Sequence, residues 1–395
     1  MTMAPQSLIE AIEQHTTAGT DAEPTSTPSG MLMKQEGNWT RMFHGAAFLN
    51  DIQQTGHRGG AKFFSTNWLM PMAQRKLGNG TLTVRAMLSL EPATVSQRRY
   101  PELFQQGETA FGSPITDGQQ PHDFFMELAA LYDYRITEKT LLSIYFAPMG
   151  DPAMGPVAYP HRASASEIPL APLGHHLQDS THIADDVITV GLTHHNLRLE
   201  ASGFHGREPD EHRWDLDSGK IDSWSTRVSF NPASNWSTQF SVAQLHSPEA
   251  LAPQEDLRRM TASVIYNRPM NRGNWASLLL WGRNQSLLDG NVSNGYLLES
   301  TIKFLDSNAA WTRLENVDRT NELLLTQTPP RGFSEKYFTR AQAYTVGYDR
   351  EVGHIPHLST ALGAQLTCYG VPEVLRTVYG PHPVSAVVFL HLRVR

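Results

Sequence analysis

The densest concentration of reactive side chains is the run Gly174–Asp186, in which His175, His176, Asp179, His182, Asp185 and Asp186 fall within twelve residues. Neutral imidazole is the commonest protein ligand for copper, zinc and nickel, and carboxylates complete such sets, so Cu or Zn is the metal this loop would take. The spacing matches no defined ligand signature, and hydrogen-bonded loop histidines are the plainer account. His161, His205 and His212 add donors if the fold brings them near; the last two share the stretch Gly203–Asp222 with Glu208, Asp210 and Asp217. Met31, Met33, Met42, Met70, Met72, Met149 and Met154 form small groups along the chain. Their thioethers suit Cu(I), although methionine more often fills irregular packing gaps. Asp179, Ser180 and His182 are the residue types of a Ser/His/acid hydrolase, a site defined by geometry and not by order. No GxSxG, HExxH, P-loop or GxGxxG context is present, which excludes a zincin or a nucleotide enzyme, and no motif requires a cofactor.

The elements that must position these groups follow from composition and periodicity. Apolar residues are 40% and charged residues 18% of the 395 positions, both below the usual ~45–50% and ~25% of a soluble domain. The net charge of −7, with no basic run, gives no nucleic-acid footprint. The single cysteine, Cys368, rules out an intramolecular disulfide framework and a CxxC motif. The densest apolar patches, around Trp275–Trp281 and Val384–Val394, are too short to cross a bilayer as helices.

From Trp39 onward, segments of roughly ten residues alternate apolar and polar positions, the period of a two-faced strand. Trp224, Thr226, Val228 and Phe230 share one face, with Ser223, Ser225, Arg227 and Ser229 on the other. Sixteen such segments run over 39–49, 61–70, 81–90, 122–135, 139–148, 186–194, 196–204, 223–231, 236–245, 258–267, 275–284, 295–305, 309–319, 338–349, 358–369 and 384–394. Their connections alternate long and short, which sends the long loops to one end of a meander and both termini to the other. A soluble sandwich has shorter strands and no such asymmetry. The pattern predicts an all-β chain, a closed antiparallel transmembrane β-barrel in the outer membrane, with short periplasmic turns and long external loops. Trp39, Trp68, Trp224, Trp236, Tyr132, Tyr134 and Tyr266 sit near segment ends, where interfacial aromatic girdles belong. Residues 1–38 are expected as a periplasmic N-terminal segment, with a short amphipathic helix over Ser7–Thr16 and a linker over Ala18–Gly30, before a barrel at 39–395. No apolar stretch follows Met1, so the chain as written carries no intact signal peptide and reads as a mature or trimmed form.

In strand number and loop order, residues 39–395 resemble the sixteen-stranded outer-membrane porins of Gram-negative bacteria. The last residues, Leu392-Arg393-Val394-Arg395, depart from the terminal aromatic usual in outer-membrane strands. The resemblance implies that the long connection Met149–Asp185, the longest in the chain, folds into the lumen, narrows it and holds the residues that set selectivity. With apolar positions on lipid, Arg85, Glu127, Arg198, Glu200, Arg227, Glu299, Lys303, Arg313, Glu315 and Arg340 are expected to line the pore. Mixed charges there would orient polar solutes or set ion preference. The expected partners are outer-membrane lipid and lipopolysaccharide, small polar solutes or ions, and further copies in a homo-oligomer. Passive diffusion of small hydrophilic solutes or ions is the first functional reading and makes the chain no enzyme. Copper binding and handling is the alternative, and a hydrolase at the barrel rim is a third.

Overall fold

The computed structural model of the chain describes residues 5–180, 184–325 and 331–394. Sixteen strands form its wall. In chain order they are β1 (Trp39–Gln54), β2 (Ala61–Leu77), β3 (Gly80–Leu88), β4 (Phe125–Thr137), β5 (Thr140–Met149), β6 (Asp185–His194), β7 (Leu197–His205) and β8 (Ser223–Ala233). They continue as β9 (Trp236–Leu245), β10 (Leu257–Met270), β11 (Gly273–Ser286), β12 (Val292–Phe304), β13 (Asn308–Thr320), β14 (Tyr337–Ile355), β15 (Leu358–Gly370) and β16 (Val384–Val394). Each pairs antiparallel with its sequence neighbours, and β1 pairs with β16 from Gly45↔Val394 to Gln54↔Ser385, which closes the cylinder. A lead strand, Leu32–Glu36, hairpins onto β1 through Gly37 and occupies the edge of β1 just beyond the last pair with β16.

The strands arise where side chains alternate, because one face meets lipid and the other the interior. On β6, Val187, Thr189 and Thr193 are buried while Ile188, Val190 and Leu192 are exposed, and β8 repeats this with Ser225, Arg227 and Ser229 inside and Trp224, Val228 and Phe230 outside. Ile144, Phe146, Leu199, Phe240, Val264, Leu279, Leu298, Leu314, Val346, Leu362 and Val388 extend the exposed belt around the wall. Continuous apolar surface of this extent is a lipid-facing surface and not one left to water. Trp236, Tyr266 and Trp275 touch ring to ring at the short-turn end, with centroids 4.6 and 5.4 Å apart. Among the described residues no helix is long and apolar enough to cross a membrane.

The short turns lie together at one end. Their reversals place Gly78, His195, Arg272 and His357 at positive φ, as tight hairpins of right-twisted strands require. Several strands outrun their apolar pattern: β1 and β2 continue to Gln54 and Leu77, so the expected connection 71–80 is mostly strand and its turn only Gly78-Asn79. Two connections at the other end are of near-equal length, 89–124 and 150–184, so the second is not the longest of the chain.

The N-terminal segment does not stand apart from the barrel. Its helix α1 (Leu8–Gln14) is capped by Ser7, whose Oγ accepts the Glu10 N–H at 3.2 Å, while the Glu10 carboxylate accepts the Gln6 N–H at 2.7 Å. Leu8, Ile9 and Ile12 pack on Leu141 of the inner wall, and the chain joins the wall at Leu32 and not at Trp39.

Replacing Val190, exposed midway along β6, by Arg is expected to cost about 2–4 kcal/mol in lipid, as for a cation at the bilayer midplane. Urea unfolding in vesicles measures this, and a cost near zero would remove β6 from the lipid face.

Candidate functional site in the barrel lumen

Pointing polar residues inward creates an interior of charges that must be solvated or paired. Here they are paired, largely with chain that re-enters the barrel. Arg85 of β3 grips Glu127 of β4 through Nε and Nη2 at 2.6 and 2.7 Å and also donates to the carbonyls of Thr17 and Gly19. Glu127 accepts from the Tyr145 hydroxyl at 2.8 Å and from the Gly19 N–H at 2.9 Å. Glu200 of β7 sits between Arg198 and Arg227, 2.9 Å from each. Arg227 reaches on to Asp21 of the N-terminal segment. His15 meets Asp133 at 2.6 Å, Asn231 donates to the Glu23 carbonyl, and Asn267 donates to Ser26. Residues 15–26 thus cross the lumen from β3 and β4 to β10, held by the wall's charges. Burial raises the Asp21 carboxyl to about 6 despite Arg227, and burial together with Asp21 raises that of Glu23 to about 8.

The connection 150–184 fills the rest of the interior and is buried along nearly its whole described length. Arg162 contacts Glu299 at 2.5 Å and Asp179 at 3.6 Å. Glu167 is shared by Lys303 at 2.6 Å, Arg393 at 2.5 Å and His391 at 3.2 Å. Arg313 donates to the Leu170 carbonyl, and Glu315 accepts the Leu173 N–H. Ile168 and Leu170 pack with Phe48, Phe64, Tyr100, Trp311 and Phe389 in an apolar patch on the inner wall. The connection 89–124 folds over the same lumen, with Leu103 and Phe104 on Leu173, Leu177 and Tyr379. The interior retains a cavity of about 360 Å³ beside the N-terminal segment and another of about 130 Å³ toward the long-loop end.

Of the ten charges expected to line the pore, Arg85, Glu127, Arg198, Glu200, Arg227, Glu299, Lys303, Arg313 and Glu315 turn inward, where most of them hold re-entrant chain and Arg198 pairs with Glu200, Ser143 and Thr193 of the wall. Arg340 does not. Its neighbour Ala341 takes the inward position, and the 47% exposed Arg340 side chain lies outside on Asp318 and the Tyr296 ring. On β14 Arg340 is in phase with the exposed Tyr344, Val346 and Tyr348 and opposite in phase to the buried Ala341, Ala343 and Thr345.

The histidine and aspartate run is dispersed. His175 and His176 stay together with ring centroids 4.0 Å apart. Asp179 turns to Arg162, Asp185 opens β6 opposite Met149, and Asp186 accepts from Ser218 and from the Gly219 N–H. His182 lies outside the described residues, and with it the third member of the hydrolase set; Ser180 is buried. His176 is instead bracketed by Glu108 at 3.0 Å and Glu208 at 3.3 Å, from two other long loops, and donor atoms of Glu108, His175 and His176 lie within 4.8 Å of one another. Glu208 lies in the stretch Gly203–Asp222 singled out from the sequence, whereas Glu108 carries no sequence signal, because nothing local marks which loop tips meet. Of the additional histidines, His205 bonds the Lys220 carbonyl and His212 sits on Asp210 in solvent, so neither joins His175.

Burial alone would lower the His176 pKa, but the hydrogen bonds and charges of Glu108 and Glu208 lift it to about 10. His175, buried beside this cation, is held well below the usual range. At neutral pH His176 is therefore an imidazolium clamp between three loops, and a metal there would first have to displace its proton.

No protein-family model matches the chain, and no curated protein matches it in sequence. Its fold is similar to solved sixteen-stranded porins. The anion-selective porin from Comamonas acidovorans is 10% identical with a TM-score of 0.54, covering 90% of this chain and 99% of that one. Salmonella typhi OmpF, solved in complex with daunomycin, is 9% identical with a TM-score of 0.55, covering 92% and 100%. Pseudomonas putida OprB is 7% identical with a TM-score of 0.54, covering 90% and 94%. The chain therefore has the porin architecture, a closed antiparallel barrel of sixteen strands.

Because the folded His176 pKa lies above the ordinary value of 6.5, its clamp is at full strength below that pH and is lost as pH rises through about 10. Hydrogen exchange should show the backbone around residues 172–178 losing protection across that window, and His176→Gln should abolish the pH dependence. Protection that is flat across the window in the parent would contradict the clamp.

Proposed function

We propose that the chain is an outer-membrane channel of the porin type, passing small hydrophilic solutes or ions by diffusion through a lumen narrowed by its own residues 5–29 and 150–180. The observation that carries this reading is the closed sixteen-stranded wall with an apolar belt outside and paired charges inside. A barrel of this strand number encloses more space than wall side chains alone can fill. Likeness to porins supports the same reading. The belt fits lipid, lipopolysaccharide or a second copy of the chain. Solutes would travel between the cavity of about 360 Å³ and the outer vestibule of about 130 Å³, past inward charges of both signs. The connection 150–184, pinned by Glu299, Glu315, Lys303 and Arg313, is the segment that would set selectivity.

The purified folded protein is expected to give discrete conductance steps in planar bilayers. Deleting residues 5–29 should enlarge the steps. Arg227→Ala, which leaves Glu200 and Asp21 without their shared cation, should raise open-state noise while the barrel stays folded. A folded sample with no steps in either form would overturn the channel reading.

A further inference from the structure

Beside the larger cavity, the inner faces of β1, β2 and β3 carry an unusual set of side chains. Met42, Met70, Met72 and Met87 are all buried and form one packed cluster, with Met31 and Trp68 against it. Two histidines complete the set. His161, from the luminal connection, places its Nε2 3.3 Å from the Met87 Sδ. His44 of β1 lies 5.5 Å from the His161 ring and 4.9 Å from the Trp68 ring, and Trp68 stands 4.5 Å from His161, all between centroids. The Nε2 of His44 is buried without a hydrogen-bond partner among the described residues.

Apolar packing accounts for methionines in contact, but it does not call for imidazoles among them or for a buried ring nitrogen with no hydrogen bond. Donors bound to one small ion at about 2.0–2.3 Å lie about 3–4 Å apart, as His161 Nε2 and Met87 Sδ do. Thioether and imidazole together are a soft, uncharged donor set, which favours Cu(I) over magnesium, calcium or manganese. The positive charge of Arg85, on β3, is matched by Glu127 at 2.6 Å. The indole face of Trp68 adds a surface that attracts a cation. His44, Trp68 and His161 line the cavity of about 360 Å³, and Met87 and His161 line a smaller one beside it, so the cluster borders open space.

We propose that His44, His161 and Met87, with the thioethers of Met42, Met70 and Met72 at hand and Trp68 alongside, form a binding site for a soft monovalent metal ion, Cu(I) or its analogue Ag(I). The site lies inside the barrel on the short-turn side, apart from the His175 and His176 pair. It does not depend on the channel reading, since an ion can be held whether or not solutes pass.

The test uses Ag(I), which needs no reductant, with the full-length chain folded in chloride-free detergent buffer. Competition binding is expected to give one tight ion per chain, and X-ray absorption at the silver edge a first shell of both sulfur and nitrogen. Met87→Leu with His161→Phe should weaken binding by about tenfold or more, a typical loss when a metal site is altered. His175→Ala with His176→Ala should leave it unchanged. A parent spectrum without sulfur would overturn the proposal even if the double variant failed to fold. So would equal affinity in Met87→Leu/His161→Phe, or a loss confined to the His175/His176 variant. Bilayer conductance of the same parent sample, read separately, tells failure of the metal site from failure of the channel.

Discussion

Everything in this molecule depends on the pairing of β1 with β16. In hydrocarbon each unpaired backbone N–H or C=O costs several kcal/mol, so a spanning sheet must have no edge. The ten register pairs from Gly45↔Val394 to Gln54↔Ser385 remove it, and the lead strand covers the part of β1 that β16 does not reach. Closure then divides the side chains of every strand between lipid and lumen, because successive residues on a strand point oppositely. The lipid face must be apolar; the luminal face is free to be anything that finds a partner.

What the luminal face finds here is mostly the chain itself. A charge taken out of water needs both an opposite charge and enough hydrogen bonds to satisfy its remaining positions. Arg85 meets this with Glu127 and two backbone carbonyls, and Arg227 with Glu200, Asp21 and Thr20. Residues 15–26 supply part of both sets, which explains how a Thr-rich stretch with little packing of its own comes to hold one path across the barrel. The connection 150–184 uses the same chemistry together with an apolar patch, so the interior resembles a globular core more than an open tube.

This occupied interior also concentrates unusual chemistry. Three loops converge on His176, whose proton balances two glutamates. On the opposite side, methionines spaced two residues apart on one strand, Met70 and Met72, meet Met42 and Met87 from the strands on either side. Register does this: Met42 pairs directly with Met72 across β1 and β2.

The sequence by itself determined the wall. Alternation over Ser223–Phe230 or Val384–Val394 is a local property, fixed by which face each residue must present, and the order of long and short connections is countable along the chain. Charges set within such alternation, such as Arg85, Glu200 and Arg227, were legible as inward for the same reason, whereas Arg340 shares the alternate positions of Tyr344, Val346 and Tyr348 and faces outward with them. Only the tertiary structure decided what those inward charges touch. That Glu108 and Glu208 reach His176, that Asp179 turns from the histidines to Arg162, that residues 5–29 enter the lumen and that His161 meets Met87 all depend on contacts between segments far apart in the chain. Such contacts follow from the shape of the space the closed wall leaves, and no spacing within a single segment encodes that shape.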